Sequence, residues 1–208
     1  NVHNEDIMLL PTLQSIFHSM RVASSAGASL ELIVVLDEPT EETVEVLESF
    51  LADYGDRVPV VVLEVTHRDL GKARKAGIAA AQGTYVALFD GDDLYSSNWL
   101  RLALEAAHVA DRNQIFHPAV NLYFGADSRI FWHADQIKDD FPFHAIVIEN
   151  LWTSLCFCNR EIYKVVPIPD LDSENGYGFE DWAWNMNTIA NSFRHRSVAQ
   201  TCHFIRLK

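Results

Sequence analysis

Thr84-Tyr85-Val86-Ala87-Leu88-Phe89-Asp90-Gly91-Asp92-Asp93-Leu94 is the stretch on which the fold turns. Its first six residues are apolar, β-branched or aromatic and follow Gly83, which predicts a buried strand. The strand then leaves the sheet into a knot of carboxylates. Asp90 and Asp92 are two apart, and Gly91 between them lets the backbone turn sharply. Such carboxylates repel one another unless a cation or ligand compensates them, and an oxygen-rich site of this kind suits a hard divalent ion such as Mg²⁺ or Mn²⁺. A solvated Asp-Gly turn is the alternative, since such turns are common after strands.

Outward from this strand the chain alternates strand and helix. Glu31 to Leu36 and Val58 to Val65 are near-continuous apolar runs, as expected of parallel strands covered on both faces. Helices are predicted over Glu5 to about Ala28, Thr40 to about Tyr54, Lys72 to Ala81, and from a Ser96 or Ser97 cap to about Asp111. Pro11 must lie in a first turn, where its missing N–H is harmless, and Glu41 and Glu42 suit the positive end of their helix. This order predicts an α/β fold with a mostly parallel central sheet and right-handed crossovers. After Gln114 the pattern changes. Phe116 to Phe124 and Arg129 to His133 read as strands joined by a Gly125-Ala126-Asp127 turn, followed by a helix over Glu180 to Asn191 and a closing strand region over Arg194 to Arg206. One domain over 1–208 is expected, with a nucleotide-binding half at 1–112 and an α+β half at 113–208 covering one edge and the mouth of the first.

The bulk properties narrow the class. The chain has 208 residues, 49% of them apolar, enough for one domain with a sizeable core. Sixteen basic residues against 29 acidic give a net charge of −13, which argues against wrapping nucleic acid or attraction to anionic lipid. No apolar run reaches the length of a membrane-crossing helix. Three cysteines, an odd and sparse count, argue for reduced thiols and a cytoplasmic setting. Cys156-Phe157-Cys158 reads as two small core residues on a strand, with metal binding the alternative. The start at Asn1 and the end within an expected strand suggest a piece of something longer, with further segments on either side.

In an open α/β sheet, ligands bind beyond the carboxyl ends of the parallel strands. Successive strands here end in Asp37, in Thr66-His67-Arg68-Asp69, and in Asp90-Gly91-Asp92-Asp93. Asp37 could accept from the ring N–H of uracil or thymine, or from guanine, or could be a loop carboxylate. Arg74 could stack on a base or pair with a phosphate, or be a surface charge.

With these residues in place, the chain resembles a family 2 glycosyltransferase of the GT-A fold over nearly its whole length. His3-Asn4-Glu5-Asp6 with Leu13-Gln14-Ser15-Ile16 is similar to the family's opening motif, and Glu31 to Thr43 to its strand, acidic loop and Thr. Asp69 to Gly77 followed by Ala81-Gln82-Gly83-Thr84-Tyr85-Val86 resembles its Gly-x-x-x-Arg-Asn-x-Gly and A-x-G-x-Y-V stretch. Asp90-Gly91-Asp92-Asp93 looks like its D-x-D signature, and Gly176-Tyr177-Gly178-Phe179-Glu180-Asp181-Trp182 like its late Glu-Asp motif. There are departures. Most of the first strand, expected before His3, is absent; Lys75 stands in place of Asn; Glu38-Pro39 replaces Gly-Ser; and no Gln-x-x-Arg-Trp follows Asp181.

The resemblance implies an inverting transfer of a sugar from a nucleoside diphosphate, of UDP or dTDP type, to a hydroxyl of a glycan or glycolipid acceptor. It implies Asp181 as general base with Glu180 beside it at the acceptor, and Asn4, Glu5, Asp37, Arg74 and Asp90 at the nucleotide. Asp92, with Asp90 and His203, would hold Mn²⁺ or Mg²⁺; a core-edge histidine is the alternative for His203. Trp152 and Trp182 are the expected acceptor-side aromatics, though large aromatics also fill cores. Cell-surface polysaccharide synthesis is implied by analogy, at the cytoplasm or peripherally at the inner membrane face. The rivals are a sugar-phosphate nucleotidyltransferase, against which the missing Gly-rich phosphate loop argues, and a non-catalytic nucleotide-sugar-binding or interaction module.

Overall fold

A computed structural model describes residues 1–138, 140–153, 155–170 and 179–207. After a 3-10 turn at Asp6–Met8, helix α1 (Leu9–Ser25) buries Leu9, Leu13, Ile16, Phe17, Met20 and Ala23 along one face, with Pro11 in its first turn. Strands β1 (Leu32–Asp37) and β2 (Val60–Val65) pair in parallel, from Leu32 opposite Val60 to Asp37 opposite Val65. Between them runs α2 (Glu41–Tyr54), whose Thr40 side chain accepts from the Thr43 amide and so caps the helix. Helix α3 (Leu70–Ala80) is capped likewise by Asp69, which accepts from Lys72 N–H.

The remaining strands, β3 (Tyr85–Ala87), β4 (Leu94–Tyr95), β5 (Gln114–Gly125), β6 (Arg129–Trp132), β7 (Phe157–Asn159) and β8 (Arg194–Leu207), form one sheet in the order β3-β7-β5-β8-β4, with β6 on β5. Helices α4 (Trp99–Val109), α5 (Glu161–Val165) and α6 (Glu180–Ala190) complete the described elements. The α/β class stands, but the sheet is mixed rather than mostly parallel: β1 with β2 and β5 with β8 are parallel, and the other ladders are antiparallel. The reason lies in the second half. A short turn such as 126–128 can join only antiparallel strands, and β7 inserts antiparallel between β3 and β5. The β5–β8 register shifts between Pro118 and Val120, where proline lacks the N–H a regular ladder needs.

Ser96 does not cap α4. Its amide donates to Cys202 O and its hydroxyl accepts from Cys202 N–H, which spends it on β8, and α4 starts at Trp99 after an Asn98 that makes no side-chain cap. Val2 bridges to β1, donating to Val35 O at 2.9 Å and accepting from Asp37 N–H at 2.9 Å. β1 and β3 belong to separate sheets, and a cavity of about 570 Å³ lies between them. Its lining is largely apolar and comes from α1, β1, α3 and β3; it touches the acidic segment only through Asp90 and Gly91.

Candidate active site

The tip after β3 is tied down residue by residue. Asp90 N–H donates to the Tyr95 hydroxyl at 2.7 Å, and that hydroxyl donates to Asp90 O at 2.9 Å. Burial pushes the Tyr95 phenol well above its ordinary pKa, so it stays a neutral donor. A Cβ on Gly91 would fall 2.7 Å from Asn1 O, so this position needs glycine for close approach of the backbone. Asp93 is buried; one oxygen accepts from Arg206 N–H at 2.9 Å and the other pairs with His203 Nε2 at 2.8 Å. Arg206 Nε also donates to Asp92 O at 3.2 Å. The acidic loop is thus stitched to β8, and the His203 ring stacks on Tyr95 at 5.0 Å.

Arg74 joins this tip to the opening of α6. Its side chain is 3% exposed; one terminal nitrogen donates to Asp90 Oδ1 at 2.8 Å and the other to Glu180 Oε1. The guanidinium thus reaches Glu180, 106 residues away in the chain. Burial works to raise the Asp90 pKa, but the Arg74 charge and hydrogen bond overcome it and hold the carboxyl well below the usual range. Burial resists the charge on Arg74 in turn, and Asp90 and Glu180 restore it. For Glu180 the balance falls the other way: burial outweighs Arg74 and its pKa is raised. Asp181 is raised as well, chiefly by burial. One Asp181 oxygen accepts from Trp182 N–H at 2.7 Å, the other from Asn150 Nδ2 at 3.1 Å. Gly176, Tyr177 and Gly178 of the Glu-Asp motif lie outside the described residues.

On the β1 side, Asp37 is buried and holds the loop before α3: Oδ1 accepts from His67 N–H at 2.6 Å and Arg68 N–H at 3.0 Å, and Oδ2 from Asp69 N–H at 3.3 Å. His3 Nδ1 contacts Asp37 O, and Glu5 accepts from the His3 amide, so His3 sits against the end of β1 with Glu5 tied to it. Asn4 is exposed.

With the geometry in hand, comparison with known proteins is decisive on family. A family model described as glycosyl transferase family 2 matches residues 2–166. The chain belongs to glycosyl transferase family 2. It is 34% identical over 112 residues to the uncharacterized glycosyltransferase EpsJ of Bacillus subtilis (strain 168), covering 53% of this chain and 30% of that protein. It is 23% identical over 155 residues to the uncharacterized glycosyltransferase alr2836 of Nostoc sp., covering 71% and 47%. The chain therefore spans less than half the length of these curated relatives. Among solved structures it resembles S. aureus TarS 1-349 in complex with UDP, with a TM-score of 0.69 at 16% identity over 100% of this chain and 60% of that one. It also resembles the mannosyltransferase PcManGT from Pyrobaculum calidifontis in complex with GDP-Man and Mn²⁺, with a TM-score of 0.64 at 15% identity, covering 98% and 55%. These structural likenesses establish the GT-A fold.

Within this family 2 chain, the expected aromatic acceptor contacts divide. Trp152 is 0% exposed, sandwiched by His195 at 4.2 Å and Phe141 at 5.7 Å, with its Nε1 donating to Ala134 O. It has no face to offer a sugar; it fills the core, as large aromatics do. Trp182 is half-buried one residue after Asp181, its Nε1 donating to Ile146 O at 2.7 Å.

The metal expectation can be tested on the donors themselves. Among the described residues, no three His, Cys, Asp or Glu side chains form a group able to hold a metal alone. A hard cation bound through one or two protein ligands would have to draw the rest from substrate phosphates or water. His203 Nδ1 is buried without a hydrogen-bond partner while Nε2 is fixed by Asp93, the carboxylate–histidine arrangement that orients a metal ligand. The residues fit.

Sequence reading missed Tyr95, Asn150, Asn185 and the Asp93–His203 pair. Only Tyr95 carried a local signal, as the aromatic that follows the acidic run by two residues.

Proposed function

We propose that this chain catalyses inverting transfer of a sugar from a nucleoside diphosphate sugar, of UDP or dTDP type, to a hydroxyl of a glycan or glycolipid acceptor. The observation that carries this reading is the Arg74 bridge, which sets the D-x-D tip and the Glu180-Asp181 pair in one site. Asp181 removes the acceptor hydroxyl proton; the freed oxygen attacks the anomeric carbon from the face opposite the diphosphate. The bond to the diphosphate oxygen breaks, and its electron pair leaves with the nucleotide. A carboxylate whose pKa is raised by burial is a better proton acceptor near neutral pH than an exposed one. Glu180, anchored on Arg74, lines the acceptor side with Trp182.

Asp37 keeps one lone pair, on Oδ2, beyond its three loop contacts for a pyrimidine N–H, and Asn4 and Glu5 contribute beside it. Asp90, bonded to Arg74 and Tyr95, contacts the ribose in this reading, a role its contacts support. Asp92 and His203 would hold Mn²⁺ or Mg²⁺, with Asp90 supporting. When bound, that ion acts as a Lewis acid that neutralises charge developing on the diphosphate.

The test is a thermal-shift screen of nucleoside diphosphate sugars with and without Mn²⁺, followed by turnover of the stabilising donor with candidate glycan acceptors. Asp181→Asn should abolish transfer while leaving nucleotide affinity nearly intact. Equal turnover by both proteins would refute the base assignment, and pyrophosphate release from a nucleoside triphosphate would favour a nucleotidyltransferase.

A further inference from the structure

We propose that Asn150 is the positioning residue of Asp181: its amide clamps one carboxylate oxygen and is itself locked by Asn185, so the side chain is held in a single orientation. This rests on the reading of Asp181 as base and adds the device that aims it.

Asp181 and Asn185 stand one helical turn apart on α6, on the same face. Asn150, from the segment before β7, lies between them. Its Nδ2 donates to Asp181 Oδ2 at 3.1 Å; its Oδ1 accepts from Asn185 Nδ2 at 3.0 Å and from Trp152 N–H at 3.4 Å. Those last two partners are donors, so the amide cannot flip without setting its NH₂ against N–H groups and its oxygen against the carboxylate. Asn185 is 1% exposed and also donates to Trp152 O at 3.3 Å, which ties the clamp to the fully buried Trp152.

The second Asp181 oxygen takes the Trp182 amide. Asn150 and Trp182 thus hold one oxygen each, and the four acceptor sites of the carboxylate are not exhausted by these contacts. The charged and titratable groups that act on Asp181 among the described residues are Arg74, Asp90, Glu180 and Cys156. Arg74 favours the ionised form and Asp90 opposes it. Asn150 donates to the ionised form and so works against burial.

The experiment is a ¹³C titration of the Asp181 carboxyl in selectively labelled protein, with the resonance assigned by its loss in Asp181→Asn. Removing the donor in Asn150→Ala should move the midpoint up by about one pH unit, the scale of a hydrogen bond to a charged group. The isosteric Asn150→Asp, which substitutes a like charge, should move it further. Asn150→Ser, which keeps a hydroxyl donor, should restore part of the shift. Midpoints equal to wild type in dispersed, folded Asn150→Asp and Asn150→Ser proteins would overturn the proposal, and these variants serve even if Asn150→Ala does not fold. The readout needs no turnover. If Asp181 is not the base, the shift still appears while Asp181→Asn remains active, so the two failures are told apart.

Discussion

Arg74→Met separates charge from volume at the joint of the site. Methionine fills much of the same space, so the main loss is a guanidinium bonded to Asp90 and Glu180, whose side chains are 27% and 7% exposed. Removing one partner of a buried ion pair costs roughly 3–5 kcal/mol, because the remaining charge is stranded. The partial exposure of Asp90 keeps the total near that range rather than double it. In a domain of this size 1 kcal/mol moves the melting temperature by about 2–4 °C, so a fall of roughly 10–15 °C is expected. The pH dependence gives the sharper signature. In the native protein Asp90 titrates below its unfolded value, so its contribution is complete above that value and is lost as pH falls through the depressed folded one. Without Arg74, burial meets weaker opposition at Asp90 and Glu180, and both rise. The variant's penalty is then largest at pH 8 and relieved as those carboxyls protonate. Urea denaturation of both proteins at pH 8 and pH 5 should show the gap narrowing at the lower pH with the slope m unchanged. A gap that stays constant, or a fall below about 3 °C at pH 8, would mean that the bridge does not hold the two halves of the site. Arg74→Lys, which keeps the charge but not the two-pronged geometry, should fall between.

Chelation by EDTA and Asp92→Ala should each weaken nucleotide diphosphate binding by calorimetry, and unchanged affinity in both would remove Asp92 from the cation site. The buried His117, His133 and His195 are pushed down by burial, His133 to about 4 and His195 to about 3, and so remain neutral where the unfolded chain takes up protons. Stability should therefore fall as pH drops from about 6.5 toward 4.5, by up to about 4 kcal/mol per pH unit, offset in part by the raised Asp181 and Glu180. A flat or rising profile over that window would contradict it. Trp152→Phe should lower the melting temperature and leave the acceptor KM unchanged, whereas Trp182→Ala should raise that KM; the reverse pattern would return Trp152 to the acceptor.

The first half of the chain was readable because its apolar runs are long and its turns carry strong chemistry. Thr40 caps α2 where that helix is expected to begin, and β1 and β2 pair as two covered runs predict; α3 starts at Leu70 behind an Asp69 cap, ahead of the expected Lys72. What was not readable is short or distant. β4 has two residues and β7 three, too few for any periodicity to register. The β7 insertion, which makes the sheet mixed, follows from pairing preferences across 70 residues that no local pattern encodes. Within the site, the motifs located the acids, but not what holds them. Arg74, marked for its place in a motif, proves to be the link between Asp90 and Glu180, and Asn150 stands in a stretch with no signature at all. Trp152 and Trp182 look alike in sequence, and only packing tells a core filler from a half-buried ring beside an acid.

The way Arg74 is used bears on how a diphosphate could bind. Its two terminal nitrogens face Asp90 and Glu180, so its charge is largely balanced within the protein. His203 is turned to Asp93, and Arg206 reaches the loop with its backbone N–H on Asp93 Oδ1 and its Nε on Asp92 O. Among the described residues, Asp90, Asp92, Asp93, Glu180 and Asp181 gather around Arg74, in a chain that carries −13 overall. An anionic nucleotide entering that field is repelled unless positive charge arrives with it, since buried and half-buried charges are poorly screened by salt. On the proposed reading, a divalent cation held at Asp92 would supply that positive charge. That reading also explains why the guanidinium can be buried as a joint rather than left exposed as a phosphate clamp.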